Sequence, residues 1–598
     1  MFIKCFIVSY WKEIKKINPQ TSSYLPNSID GEKGAEAINS MFKSKYNDLF
    51  NEYNEYDESF FERINERISN KCLKDRCSSN HHITPDIIKL SIGKIKKGTL
   101  DPCFGVMSDS LKNAPDILFD KLSIFFQLKF SHSITIDIFN QSLIIPIPKD
   151  KRKSLSDSSN YRGIALSSIF CKLFEYILIF LCENVCKNND LQFGFKKRFS
   201  TALCSFTISE TNQYYKNNSS NVYILFLDAS KAFDRVKHTK LFNCLLDKDL
   251  CPLFIRMIAI MYIANKAKVR WGNNFSDEFK MNNGVKQGGV LSPYLFALYL
   301  DPLLDMCHKS RLGCYMGDVP ANAFAYADDV AIMAPSISSL KKLIHICENY
   351  SLEYSVNFNA KKSNLVCFGN FDIDLDIYIN NEKIQLTNDC KHLGFYMKNS
   401  NHLYDIKDTI QNIKIRTNTI CNVFQMLDWS CKRQLFKSQC TSLYGCELWD
   451  IRHKDIDQLE ITWRQCSRKI LNISNRTHNS LIYDLIDTKK VSTLIGERFI
   501  NFMRKGLLHE NIHVRFFFQN CLVNYNSYRI NNLNYIIRNF HISYSDIFKT
   551  KKIILIDKKN ETYKINMIKE LLDVRDELMF NDLSCEETQI LIDYLCIN

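Results

Sequence analysis

The chain has 598 residues, 45% of them hydrophobic, and carries a formal net charge of +13 at pH 7. That length suggests three or four domains, and the hydrophobic content is ample for sizeable cores. No apolar run approaches the roughly 18–20 residues of a membrane-spanning helix, and the apolar start is too short for a signal peptide, so we expect no membrane partner.

The positive charge suits an anionic partner, and part of it is concentrated locally. Residues 141–200 contain ten Lys or Arg against five Asp or Glu. A polyanion can lie along such a region, although a solvated basic face is the alternative.

The 23 cysteines are odd in number and include no CxxC pair. This usage is typical of free thiols in a reducing compartment, so we expect an intracellular protein. The best metal-like cluster, Cys72, Cys77, His81 and His82, has a spacing that fits common zinc patterns poorly.

The first part of the chain is polar and then helical in pattern. Residues 1–84 are rich in Asn, Lys, Glu, Asp and Ser, which predicts a polar connector with short helices. The following residues, up to 140, look helical, with breaks at Pro102 and Pro115.

Residues 141–400 alternate short apolar runs with helical patterns, as α/β and α+β folds do. All twelve prolines lie at or before Pro335. Because the residues beyond 400 also keep a helical periodicity of apolar side chains, we expect most of 401–598 to be helical.

Two basic blocks open the central region. The apolar run Leu143–Ile147 is followed by a lysine-rich loop, and Arg162 then offers a fork of donors suited to phosphate. In Leu191–Thr201, the consecutive bases Lys196, Lys197 and Arg198 stand among aromatic residues. Bases neutralise phosphates and aromatic rings stack on nucleobases, so this block predicts a nucleic-acid or nucleotide contact.

Three carboxylates occupy matching apolar settings. Asp228 ends the apolar run 222–227, and the pair Asp328–Asp329 interrupts the apolar frame 324–333. Buried carboxylates need a partner, and a divalent cation with oxygen ligands is a suitable one. A strand end and a hairpin turn can together hold two Mg²⁺ ions about 4 Å apart, which suits in-line phosphoryl displacement. Ordinary Asp-rich turns are the alternative.

Four further blocks surround these carboxylates. Phe233 lies five residues beyond Asp228, where a ring can close over a nucleotide sugar. The paired glycines of Gly284–Pro293 allow close backbone approach to a ligand. A basic turn, Asn359–Ser363, and a short block, Cys390–Phe395, complete the series.

The order and spacing of these seven blocks resemble a reverse transcriptase, with high specificity over 141–400 and less over the wider range 85–480. The Tyr-Ala-Asp-Asp core at 326–329, the Asp-x-Ser-Lys-Ala-Phe-Asp block and the Gly-Val-x-Gln-Gly block are similar to those of non-LTR (LINE-type) retrotransposon polymerases.

The resemblance implies an α+β, right-hand polymerase fold of fingers, palm and thumb with a helical C-terminal extension. Carried onto this chain, it predicts a polar connector at 1–84, an N-terminal extension and fingers at 85–221, a palm at 222–400 within a reverse transcriptase domain of about 141–400, a thumb at 401–480 and a helical region at 481–598.

The resemblance also implies residue roles. Asp228, Asp328 and Asp329 match the catalytic carboxylates that hold two Mg²⁺ ions, with Mn²⁺ possible. Lys362 matches a lysine that protonates pyrophosphate as general acid, with a solvated surface lysine as the alternative. Phe233 matches the position that excludes a 2′-hydroxyl, with a plain core aromatic as the alternative. Nucleotide or template contacts fall on Ala229, Gln287, Gly288, Lys197, Arg198 and Arg162, and the primer-grip turn falls on His392, Leu393 and Gly394.

The implied function is RNA-directed DNA polymerisation, with an RNA template, a DNA primer or nicked target DNA, and dNTPs as partners. Gly98–Pro102 stands where related elements carry a Gly-Pro-Asp-Gly turn, a departure that weakens the resemblance before residue 141. No endonuclease pattern is recognisable, so we expect that activity to come from elsewhere. We expect a cytoplasmic ribonucleoprotein that enters the nucleus at integration.

Two other interpretations stay open. One is a catalytically inactive nucleic-acid-binding remnant of the same fold, which the intact carboxylates disfavour. The other is a group II intron-type or other cellular reverse transcriptase, which would carry a maturase region after the thumb; none is recognisable.

Overall fold

The computed structural model describes residues 25–53, 62–63, 65–70, 81–182, 187–248, 250–369, 376–398, 406–477, 479–523, 527–540, 542 and 553. These residues form a mixture of helices and sheets, which confirms the predicted α+β class. They divide into two compact units: the first takes the described residues within 1–188, 231–300 and 351–357, and the second those within 189–230, 301–350 and 358–598. Of the helices described, none has the length and apolar character to span a bilayer.

The first unit is built on one sheet. The strand Gln141–Pro148 pairs antiparallel with Tyr161–Ser167 on one side and parallel with Lys266–Trp271 on the other. Two short strands, Asn274–Phe275 and Phe279–Lys280, extend the Lys266–Trp271 edge. In Gln141–Pro148 buried positions alternate with half-buried ones, as a sheet with one covered face requires.

Helices surround this sheet. Their caps explain two of the boundaries: Thr84 accepts from Ile87 N ahead of Pro85, and the Asp101 carboxylate accepts from Ser168 Oγ (2.8 Å) and Ile169 N (2.6 Å). The helices of this unit are Ala35–Phe50, Pro85–Lys94, Ser108–Lys112, Asp116–Ser131, Asp137–Asn140, Ile169–Leu181, His238–Asp247 and Pro252–Ile263.

The predicted polar connector contains folded elements at residues 28–50. Ser28–Ile29 pairs with Glu32–Lys33, and the helix Ala35–Phe50 follows. Its buried face joins a core cluster with Trp271 of the sheet. The apolar residues of that face recur every four positions, at Ile38, Phe42, Tyr46 and Phe50, within an otherwise polar segment.

The second unit is built on a five-stranded sheet with the order Ala323–Tyr326, Asp329–Ala334, Val222–Asp228, Asn364–Phe368 and Gln385–Thr387. Neighbouring strands are antiparallel except the last pair. Val222–Asp228 lies in the centre and is buried at every position before its terminal aspartate. A strand covered on both faces is apolar throughout, which explains its continuous hydrophobic run.

Helices pack on this sheet and continue beyond it. Thr201–Asn217 lies against the strands Val222–Asp228 and Ala323–Tyr326 and is contacted in turn by Ile512–Val523. Beyond residue 400 the described residues are largely helical, as predicted: Ile406–Val423, Trp429–Cys440, Lys454–Leu471, Asn479–Ile486, Val491–Leu507, Ile512–Val523 and Tyr528–Phe540. Ser292–Lys309 and Ile337–Tyr354 contribute residues to both units.

Small hairpins complete the second unit. They pair Tyr315–Met316 with Val319–Pro320, Tyr378–Ile379 with Glu382–Lys383, and Asp389–His392 with Phe395–Lys398. The cysteines in the described part of the chain are all free thiols. Cys72 and Cys77 of the weak zinc cluster lie outside the described residues.

Candidate active site

The three aspartates converge at one end of the second unit's sheet. Asp228 is the last residue of its strand and Asp329 the first of the neighbouring antiparallel strand, and the two are directly opposite in register. Asp328 lies in the hairpin turn that precedes Asp329. Directly opposed residues of an antiparallel pair have Cα atoms about 4.5–5.5 Å apart. The predicted positions, a strand end and a hairpin turn, are therefore confirmed.

These carboxylates repel one another. Burial, and then the charges of Asp328 and Asp228, raise the pKa of Asp329 to about 6. A cation among the three would remove that repulsion, and an all-carboxylate donor set fits a hard, oxygen-seeking divalent ion. Within the described residues no three Asp, Glu, His or Cys side chains are arranged to hold a metal as they stand.

The turn that carries Asp328 is held by residues of the second basic block. Ala327 has a left-handed backbone (φ +59°), which is unusual without glycine. The fully buried Gln192 side chain accepts from Ala327 N (3.0 Å) and from Gly194 N (2.9 Å). A Cβ atom at Gly194 would lie 2.4 Å from Ala327 N, so only glycine fits there. Gln192 and Gly194 thus fix the backbone next to the aspartate pair.

A second loop supports Asp228. Asn359 N donates to Asp228 O (2.9 Å), Asp228 N donates to Ser363 Oγ (3.2 Å), and Ala229 forms a β-bridge with Phe358. In this docked loop the Lys362 ammonium lies 3.7 Å from Asp228 Oδ2, with about two thirds of the lysine side chain exposed. Lys362 therefore supplies positive charge beside the aspartates.

The predicted primer-grip residues form a hairpin turn. Leu393 (φ +51°) and Gly394 (φ +84°) both have left-handed backbones, the geometry of a tight two-residue hairpin loop. His392 precedes the turn, but its ring is buried 4.5 Å from the Phe226 ring, and burial lowers its pKa to about 3. The His392 side chain is therefore buried, and the assignment of His392, Leu393 and Gly394 to the primer grip stays a prediction.

Lys197 and Arg198 lie on an exposed loop of the second unit. Arg198, with a left-handed backbone, forms an ion pair with Glu510. Both side chains are exposed, so this pair contributes little to stability and can open when an anion binds.

The glycine-rich block and Arg162 lie in the first unit. Gln287 Nε2 donates to Asp234 Oδ1 (2.6 Å), and Gln287 O accepts from Ala165 N (2.8 Å). A Cβ atom at Gly288 (φ +112°) would lie 2.9 Å from Ala165 O, so glycine is required there. Burial raises the pKa of Asp234 to about 6, while the positive charges of Lys231, Arg162 and Lys149 oppose that rise.

Phe233 lies beside the same block. Its ring stacks on Phe296 with centroids 4.5 Å apart, its carbonyl accepts from Val285 N (2.7 Å), and the residue is half-buried. The ring is thus packed on Phe296 while the residue as a whole is not fully buried, which fits both the predicted gate and a core aromatic.

Sequence reasoning missed several supporting residues. Gln192 and Gly194 belong to the block Leu191–Thr201, and Asp234 is the last residue of the block that begins at Phe226, but the sequence assigned none of the three a role. Glu175 has no sequence signal for a supporting role, yet its buried carboxylate accepts from Val290 N (2.5 Å) and Leu291 N (3.1 Å) at the start of Ser292–Lys309. No sequence signal links these partners, because each contact joins distant parts of the chain.

The central segment of the chain is similar to known proteins. Residues 147–397 match the family described as reverse transcriptase (RNA-dependent DNA polymerase). The chain is 23% identical over 310 residues to a probable RNA-directed DNA polymerase from transposon X-element of Drosophila melanogaster, which covers 49% of this chain and 34% of that protein. It is 27% identical over 203 residues to the Pol polyprotein of the type-2 retrotransposable element R2DM of the same species, covering 34% of this chain and 19% of the relative.

Among solved structures, apo telomerase from Candida tropicalis aligns with a TM-score of 0.36 and 11% identity over 68% of this chain and 74% of that one. The matches to the two retroelement proteins span well under half of each relative's length. The central segment, residues 147–397, therefore matches the reverse transcriptase family, and the relatives it resembles are named as a transposon RNA-directed DNA polymerase and a retrotransposable-element Pol polyprotein.

Proposed function

We propose that this chain is an RNA-directed DNA polymerase of a non-LTR retrotransposon, which adds dNMP to a primer 3′-hydroxyl on an RNA template. The observation that carries the proposal is the cross-strand pairing of Asp228 with Asp329, with Asp328 in the adjoining turn, inside a reverse transcriptase domain. This arrangement brings three carboxylates together. A non-catalytic nucleic-acid-binding protein would gain no affinity from them, because they repel phosphates.

The aspartates are the residues that would hold divalent ions, two Mg²⁺ or alternatively Mn²⁺. Such ions supply activation of the 3′-hydroxyl and charge stabilisation of the leaving pyrophosphate. Lys362, beside Asp228, is suited to donate a proton to that leaving group. Gln192 and Ser363 keep the backbone around the aspartates in place.

The remaining residues are proposed to bind substrates. Arg162, Gln287 and Gly288 of the first unit would contact the incoming nucleotide and template, with Phe233 against its sugar. Ala229, Lys197 and Arg198 of the second unit would also contact nucleotide or template, and the Leu393–Gly394 turn would contact the primer. An endonuclease from another source would nick the target DNA. The protein would act first in a cytoplasmic ribonucleoprotein and then, at integration, in the nucleus.

The direct test is primer extension. Purified protein with poly(rA)/oligo(dT), dTTP and Mg²⁺ is expected to lengthen the primer. The matched variant Asp328→Asn keeps the side-chain shape but removes a charge, so it should abolish extension while template–primer binding stays within about twofold, since binding depends mainly on phosphate contacts.

The outcomes separate the two candidate functions. Folded protein that binds template–primer but extends nothing in Mg²⁺ or Mn²⁺ would leave only the non-catalytic remnant. Extension by Asp328→Asn at nearly the parental rate would show that the aspartate site has been assigned wrongly.

A further inference from the structure

Tyr444 joins two loops of the second unit through one hydroxyl group. It lies just before Gly445 and the short helical turn Cys446–Leu448, outside the segment matched by the reverse transcriptase family. Its Oη lies 2.8 Å from the carbonyl oxygen of Leu393 and 2.8 Å from Thr201 Oγ1. The Leu393 carbonyl can only accept, so the tyrosine O–H must donate to it. The Thr201 hydroxyl then donates to the tyrosine oxygen.

The Tyr444 ring also defines the space around the Leu393–Gly394 turn. A Cβ atom at residue 394 would lie 2.8 Å from Tyr444 Cε1, so the ring leaves room only for glycine. The ring also packs against Phe395, with centroids 5.3 Å apart. The tyrosine therefore contacts the turn by both its hydroxyl and its ring edge.

The turn needs this support because Leu393 is strained. A leucine with φ +51° has an unfavourable backbone conformation that persists only where neighbouring contacts enforce it. The hydrogen bond to the Leu393 carbonyl fixes the peptide between Leu393 and Gly394, which determines where both residues of the turn point. Without it, the turn can relax toward ordinary backbone angles.

We infer that Tyr444 is a positioning residue for the primer terminus, which it serves by holding the Leu393–Gly394 turn in its left-handed conformation. This inference rests on the proposed polymerase function and on the turn as the primer contact. Tyr444 itself need not touch the nucleotide, so its loss should slow the chemical step without changing nucleotide affinity.

The test is single-turnover nucleotide addition by Tyr444→Phe, which removes the hydroxyl and keeps the ring. The maximal rate of addition is expected to fall about tenfold, equivalent to about 1.4 kcal/mol of transition-state stabilisation. The dissociation constants for dNTP and for template–primer should stay within about twofold, and the melting temperature within about 2 °C. If Tyr444 had a purely structural role, Tyr444→Phe would lower the melting temperature and would not reduce the rate of addition while leaving the dissociation constants unchanged.

Two controls sharpen the result. Tyr378→Phe changes an exposed tyrosine of another hairpin and should behave as the parent. Thr201→Val removes only the second hydrogen bond, so its rate loss should be smaller than that of Tyr444→Phe. A parental rate in Tyr444→Phe, or a raised dNTP dissociation constant with an unchanged rate, would overturn the inference. A parent protein that cannot extend primers would instead refute the proposed function on which the inference depends.

Discussion

Phe233 has two possible roles, as a gate against the 2′-hydroxyl and as a core aromatic, and a single substitution can distinguish them. Its ring is stacked on the buried Phe296, yet the residue is only half-buried. If the accessible part lies under the sugar, Phe233→Val opens volume for a 2′-hydroxyl, and the ratio of dNTP to rNTP efficiency should fall at least tenfold, equivalent to about 1.4 kcal/mol. The ratio, measured as kcat/KM for dTTP and UTP on the same primer, is the decisive quantity because overall activity can drop as well.

The control for Phe233 is its stacking partner. Phe296→Leu weakens the same ring pair from the buried side, so it should lower stability and rate while leaving sugar selection unchanged. If Phe233→Val lowers both efficiencies equally, Phe233 is a core aromatic and its assignment as a gate must be withdrawn.

At the residue scale, the sequence predicts the aspartates well and their supports poorly. Asp228 ends an uninterrupted apolar run, and Asp328–Asp329 interrupts another, so each carries a local signal. Gln192 lies 135 positions from Ala327 and Tyr444 lies 51 positions from Leu393. Such contacts exist only once the chain has folded, and neither residue is unusual in its local pattern.

At the element scale, the helix Thr201–Asn217 lies between the five-stranded sheet of the second unit and the C-terminal helices. Phe206 stacks on Phe518 with centroids 4.0 Å apart, and Glu210 forms a buried ion pair with Arg529 of the helix Tyr528–Phe540. Arg529 also donates to Ser209 Oγ (2.9 Å), and its guanidinium lies 5.0 Å from the Phe206 ring centroid. Burial lowers the pKa of Arg529 from its usual range.

Truncating one member of this ion pair leaves an uncompensated buried charge. Arg529→Met should therefore lower the free energy of unfolding by about 3–5 kcal/mol in urea denaturation. The double variant Arg529→Met, Glu210→Leu removes both charges and should recover much of that loss. Lys383→Met breaks an exposed pair with Asp376 and should cost less than about 1 kcal/mol. Equal costs for the buried and exposed pairs would contradict this account.

Polar composition can conceal a helical periodicity. The segment 28–50 is rich in polar residues, yet four aromatic or aliphatic side chains at spacing four form one buried face of the helix Ala35–Phe50. Beyond residue 400, by contrast, the absence of proline and the recurring apolar residues predicted helices correctly for the described residues. The boundaries proposed for fingers, palm and thumb stay predictions.

At the scale of the whole molecule, the pH dependence of the free energy of unfolding reports the protonation state of one buried carboxylate, that of Asp234. Asp234 ends the block that contains Phe233, and its Oδ1 accepts from Gln287 Nε2. Burial raises its pKa to about 6 from 3.8. The folded protein therefore keeps the proton over a pH range in which the unfolded chain has already lost it.

The sign of the effect follows from proton linkage. Between about pH 4 and pH 6 the native state binds more protons at Asp234 than the unfolded state, so this group lowers stability as pH rises, and its contribution is constant above pH 6. Asp234→Asn can still accept from Gln287 but cannot ionise. It should gain stability relative to the parent by up to about 3 kcal/mol as pH increases through that window.

The measurement is urea unfolding of both proteins at half-unit intervals from pH 4 to pH 8. The difference between variant and parent should rise up to about pH 6 and then stay level. Asp277→Asn is the matched control: its carboxylate is exposed, and the hydrogen bond from Lys43 lowers its pKa. It should show no rise through this window. Parallel curves for Asp234→Asn and the parent would mean that Asp234 is ionised in the native protein at pH 5, with the charges of Lys231, Arg162 and Lys149 outweighing its burial.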